Sequence, residues 1–173
     1  MIDLRYPIGK FEPQPFSEAT KSNWLNDIAQ LPALLEAAIE NLDEAQLHTP
    51  YRDGGWTVHQ VVHHVADSHI NAFCRMKLTL SDDNPTVRAY DENEWVRLGD
   101  ATLPVNNPLT ILHALHQKMY VLMRSVADAD WNRTYVHSYT QQQNTLWNLL
   151  GMYAWHGKHH VAHITSLRER NNW

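Results

Sequence analysis

Four long segments of this chain repeat apolar side chains at helical spacing, and a helical bundle is the simplest fold that buries four such stripes at once. The first runs from about Ser17 to Leu42 and carries Trp24, Leu25, Ile28, Leu31, Leu35, Ala38, Ile39 and Leu42 on one side. Pro32 lies inside it and predicts a kink or local break, because proline lacks the N–H that a helix interior uses. The second has the clearest start: Thr57 and Gln60 form a capping box, with Trp56 and Val61 at the staple positions, and the helix continues to about Leu80. Asn107 is the expected cap of the third, with Pro108 in its first helical position, ahead of a stripe of Leu109, Leu112, Leu115, Met119, Leu122, Met123 and Val126. The fourth starts near Thr145 and reaches about Arg168.

The fold class expected is therefore all-α: a four-helix bundle with a long connection, Ser81 to Asn106, between helices two and three. A loop of this length is often a lid or a binding segment. There are no internal repeats or low-complexity linkers, and 173 residues suit one domain spanning 1–173.

Composition narrows the function. A formal charge of −5 gives no basic face for nucleic acid. No apolar run approaches the length of a membrane span, and the opening "MIDLRYPIGKFEPQPF" has no signal-peptide core. Cys74 is the only cysteine, so no internal disulfide and no cysteine-based zinc site can form. We expect a reduced, cytoplasmic protein in which Cys74 is a small buried apolar residue. The unusual content is 12 histidines and 7 tryptophans. Ten of the histidines fall within 59–69, 113–116 and 156–163.

"WHGKHHVAHI", residues 155–164, holds four of them. With about 100° per residue, the stripe of Leu146, Leu149, Leu150, Tyr153, Ile164 and Leu167 centres roughly 60° from His156. His160 then lies at about +40°, His163 at about −20° and His159 at about −60°, outside the stripe. His156 and His160, one turn apart on the inward face, can both reach one metal ion, as helical HxxxH pairs do. His159 and His163 have the same spacing. A third protein ligand must come from elsewhere, and "HQVVHHVADSH" on the second helix offers candidates. There the stripe of Val58, Val61, Val62, Val65 and Met76 directs His69 inward and leaves His64 on the flank. Periodicity alone selects His69.

The blocks "YPIGKFEP", "PYRDGGWTVHQVVHHVADSH" (50–69), "PTVRAYDENEW" and "YAWHGKHHVAHI" (153–164) resemble YfiT-like proteins of the DinB superfamily along essentially the whole chain. The resemblance implies a metal-binding four-helix bundle, often a homodimer, with zinc or nickel held by three histidines. Carried onto this chain, the ligands are His64, His156 and His160. We follow the resemblance at His64 and keep His69 as the alternative.

Three neutral imidazoles leave a divalent ion dipositive with a coordination position open, so it can activate water, polarise a carbonyl or deprotonate a thiol. The resemblance implies a metal-dependent hydrolase or a transferase of a low-molecular-weight thiol, bacillithiol-like, to electrophilic small molecules; thiol transfer or conjugate hydrolysis is slightly favoured. Asp67, His63, His159 and His163 are candidates for proton handling or for orienting a ligand. Arg75 and Arg88 could hold a substrate carboxylate, while Tyr153 and Trp155 read as packing or pocket walls. A non-catalytic bundle with a structural or sensed metal is the alternative, as is a metal-free network of histidines.

Overall fold

The computed structural model describes residues 3–173. Its long helices are α1 (Glu18–Ile39), α3 (Val58–Ser81), α5 (Asn106–Arg124) and α6 (Leu146–Asn171). Short helices α2 (Glu44–Leu47) and α4 (Glu92–Trp95) lie in the connections. Both α1 and α3 pack against α5 and α6, so the consecutive helices α1 and α3 occupy diagonal corners of the bundle.

Local chemistry sets the helix starts. The Ser17 and Thr145 side chains accept the backbone N–H groups of Thr20 and Asn148. The Thr57–Gln60 box closes in both directions, at 3.0 and 3.1 Å. The start of α5 differs from expectation: it begins at Asn106, Val105 occupies the cap, and no side chain caps it. Pro108 is then the third helical residue, equally tolerable because the first-turn N–H groups have no intrahelical acceptor. Nor does Pro32 break α1, which is continuous through it.

Two core regions fill the bundle. One gathers Ile28, Met76, Met119, Met123, Trp131 and Leu150; the other gathers Leu31, Leu35, Val58, Val61, Leu112 and Ile164. At two points α6 comes so close to α1 that only glycine fits. A Cβ on Gly151 would lie 2.5 Å from the Trp24 ring, and one on Gly157 would lie 2.6 Å from Leu31.

Cys74 is exposed rather than buried. It stands about 200° around α3 from the fully buried Ala72 and Met76, which sets it on the outer face. A small sheet accompanies the bundle: β1 (Thr86–Val87) pairs parallel with β2 (Thr134–His137), which pairs antiparallel with β3 (Gln143–Thr145). It ties the start of the long connection to the segment leading into α6. No helix among the described residues is long and apolar enough to cross a membrane.

Candidate metal centre

The first half of α3 has little solvent face, because α5, α6, Trp56 and the long connection cover it and leave Gln60 and Asp67 half-buried. Val58, His59, Val61, Val62, His63, His64, Val65, Ala66, Ser68 and His69 are all buried. His64, which periodicity leaves on the flank, therefore meets α6, where His156 and His160 project one turn apart. The three Nε2 atoms converge: His64 to His156 at 3.3 Å and His160 to His156 at 3.2 Å. The ligand-capable atoms of the group all lie within 4.8 Å of one another.

This donor set suits a divalent cation. Imidazole nitrogens about 2.1 Å from a tetrahedral ion sit roughly 3.4 Å apart, close to the two spacings observed. The lone pairs are available as well. Burial above all, with neighbouring imidazoles second, pushes His64 down to about 4 and holds His156 and His160 well below the ordinary histidine value. Among the described residues no carboxylate or cysteine joins the group, leaving room for a non-protein ligand.

His69 stands behind the triad. Its Nε2 is 3.2 Å from Nδ1 of His156, on the opposite edge of that ring from the converging nitrogens. Periodicity was thus right about its direction, while a different histidine completes the cluster. Trp56 covers the group from the start of α3, with its ring 4.5 Å from His64 and 6.4 Å from His160. Its indole N–H donates to Asn93 of the long connection.

A cavity of about 300 Å³ opens beside His160, lined by Arg5, Tyr6, Tyr51, Arg52, Trp56, Asn93, His159 and His163. The segment preceding α1 forms one wall by crossing α6. His163 Nε2–H donates to the Arg5 carbonyl at 3.2 Å, and Trp155 donates to the Gly9 carbonyl at 3.2 Å. Tyr6 and Trp155 flank the His159 ring, Trp155 stacked at 4.4 Å. This covering buries His159, although its own helix gives it an outer angle. Burial pushes His159 and His163 down to about 4. A larger groove, about 1140 Å³ between α1, α2 and the long connection, contains none of the three clustered histidines.

The other candidates lie elsewhere. Asp67 and His63 share a separate cavity with Asp100 and Leu103, and His63 Nε2 donates to the Leu103 carbonyl at 2.9 Å. Asp67 sits about 60° around α3 from His64, so its carboxylate faces that cavity and no histidine N–H reaches it. Arg75 is engaged, donating to the Tyr153 hydroxyl and the Arg88 carbonyl at 3.4 and 3.1 Å; Arg88 itself is exposed. Tyr153 packs within the core and Trp155 against the crossing segment. The helical pattern gave no view of Arg5, Tyr6, Tyr51 or Arg52, which lie in non-periodic segments. His116 also went unassigned, although it continues the Leu112–Met119 stripe.

Comparison with known proteins agrees with this architecture. The model of the DinB superfamily matches residues 27–164. Relatives named "Putative metal-dependent hydrolase", from Bacillus cereus strain 03BB102 and Bacillus thuringiensis subsp. konkukian strain 97-27, are 49% identical over 174 residues, covering all of both chains. YfiT from Bacillus subtilis, described as "a probable metal-dependent hydrolase with an unusual four-helix bundle topology", superposes with a TM-score of 0.95 at 44% identity, over 98% of each chain.

Proposed function

The chain belongs to the DinB superfamily, and on that premise we propose that it is a metal-dependent enzyme whose site is His64, His156 and His160, acting on a small molecule in the adjoining cavity. The observation that carries this reading is the convergence of three neutral imidazoles, with Nε2 of His156 3.3 and 3.2 Å from those of His64 and His160, and no fourth protein donor among the described residues. A structural metal normally has a closed protein shell. Zinc or nickel is the ion this imidazole set suits. When bound, it supplies a Lewis acid with one position free, able to acidify water or a thiol and to polarise a carbonyl.

The protein's own groups do the rest. Arg52 places positive charge at the cavity wall, where the Arg5 guanidinium is paired with Asp3, while Tyr6, Tyr51 and Trp56 supply apolar surface beside it. His159 and His163 line the same cavity, and burial, which opposes their protonation, keeps both rings neutral above about pH 4, so they offer hydrogen-bonding groups without charge. The reaction is hydrolysis, or transfer of a low-molecular-weight thiol to an electrophile. Both need an acidic nucleophile next to a polarised acceptor.

Metal analysis of the purified protein tests the site. One zinc or nickel per chain is expected, falling to a small fraction in His64→Ala and His160→Ala; metal content unchanged in both variants refutes the assignment. Ester and amide hydrolysis, compared with thiol-dependent consumption of an electrophile, each with and without chelator, identifies the reaction. If neither activity depends on metal, the catalytic reading fails.

A further inference from the structure

His69 and His116 are two buried histidines that the triad does not use. His116 Nδ1 contacts the Ile28 carbonyl of α1. That carbonyl is free because its helical partner four residues on is Pro32, which has no N–H. A carbonyl only accepts, so the His116 proton is on Nδ1 and its Nε2 is a bare acceptor. At the other end, with the Nε2 lone pair of His156 given to a metal, its Nδ1–H donates to Nε2 of His69 at 3.2 Å. The His69 proton is then on Nδ1.

The two atoms left over are His69 Nδ1–H, a donor, and His116 Nε2, an acceptor. Both are buried without a hydrogen-bond partner among the described residues. Their rings are neighbours, stacked 4.9 Å apart with 28° between planes. Both rings are buried with no carboxylate among the described residues against them, where an uncompensated charge would be costly, so each carries a single proton. The polarity is set at the two ends, by His156 and by the Ile28 carbonyl, while His69 and His116 meet through a stacked ring contact and not a hydrogen bond.

Resting on the metal reading above, we propose that His69 and His116 are positioning residues: an imidazole pair, anchored on the carbonyl that Pro32 frees, that fixes the tautomer and ring orientation of His156. A metal-bound imidazole usually donates its second N–H to an oxygen, and losing that partner weakens metal affinity by about 10–100-fold. In this chain the acceptor is another histidine, itself stacked on a third.

Zinc affinity, measured by competition with a chromophoric chelator, tests this on wild type, His69→Phe, His69→Gln and His116→Phe. His69→Phe keeps a buried ring without an acceptor and should bind zinc about 10–100-fold more weakly. His69→Gln offers an amide oxygen to His156 and should recover most of that loss. His116→Phe should weaken binding less, in the same direction. Wild-type affinity in a folded His69→Phe overturns the proposal. So does a complete loss that His69→Gln fails to restore, which would make His69 a ligand. Circular dichroism of the metal-free variants reports folding. Should His69→Phe not fold, ¹⁵N spectra of the wild-type imidazoles decide: protons on Nδ1 of His69 and His116 are expected, and a proton on Nε2 of either refutes the chain. A wild type that binds no zinc would instead overturn the metal reading itself.

Discussion

Acid should unfold the metal-free protein unusually early. His64, His116, His159 and His163 are 5%, 1%, 6% and 3% exposed, and burial pushes each down to about 4. In the unfolded chain each titrates near 6.5. The unfolded state therefore takes up protons first, and stability is lost as pH falls from about 6.5 toward 4. Between pH 7 and 5.5 each histidine removes about 1 kcal/mol, so the four together remove several kcal/mol, and more by pH 5. His69, His156 and His160, also lowered, act in the same direction. A domain of this size is stable by about 5–15 kcal/mol, so unfolding should be complete near or somewhat below pH 5. Urea unfolding with chelator present, repeated at half-unit pH steps, measures the slope. His163→Gln should lower it by about one proton. A change below about 2 kcal/mol between pH 7 and 5.5 would show that these rings are not held neutral by the fold.

Three further outcomes follow from the geometry. Chelation should lower the melting temperature: an ion at 100 times its dissociation constant stabilises by about 2.7 kcal/mol, or about 5–10 °C for a chain of this length. An identical melting curve after metal removal would mean that the fold does not bind it. Gly151→Val would drive a side chain into the Trp24 ring, already 4.3 Å from Trp147, and should destabilise by about 1–3 kcal/mol in thermal denaturation. An unchanged melting temperature there would contradict the close α1–α6 approach. Cys74, exposed on α3, should react with a thiol reagent in the native protein as fast as in urea; protection until unfolding would contradict its placement.

Much of the architecture was legible in the sequence, because helical stripes and caps are local signals. Thr57 caps where the sequence predicts, and Ser17 and Thr145, the expected starts of the first and last helices, cap α1 and α6. The exceptions were places where several local arrangements satisfy the same rule. Proline fits any first-turn position, so Pro108 could not fix the start of α5 to a single residue. The sheet went unseen because its strands span two to four residues, too few for an alternating pattern to stand out.

The site divides along the same line. His156 and His160 follow from one helix's own periodicity, whereas His64 could not. A stripe analysis assumes one buried face and one wet face, and the first half of α3 is instead covered on both sides, by α5 and by α6, with Gln60 and Asp67 half-buried. Where most of a helix is covered, direction replaces burial as the informative quantity. His64 and His69 lie about 140° apart on the helix, yet they meet opposite edges of the same His156 ring, Nε2 at 3.3 Å and Nδ1 at 3.2 Å. The choice between them, posed by the sequence as a question of which histidine is inside, is a question of which edge of His156 each one faces. Only the packing of α3 on α6 answers it, with α6 held on its other side against α1, where Gly157 meets Leu31. The third member of the cluster is thus set by contacts among three helices, while the first two are set by spacing within one.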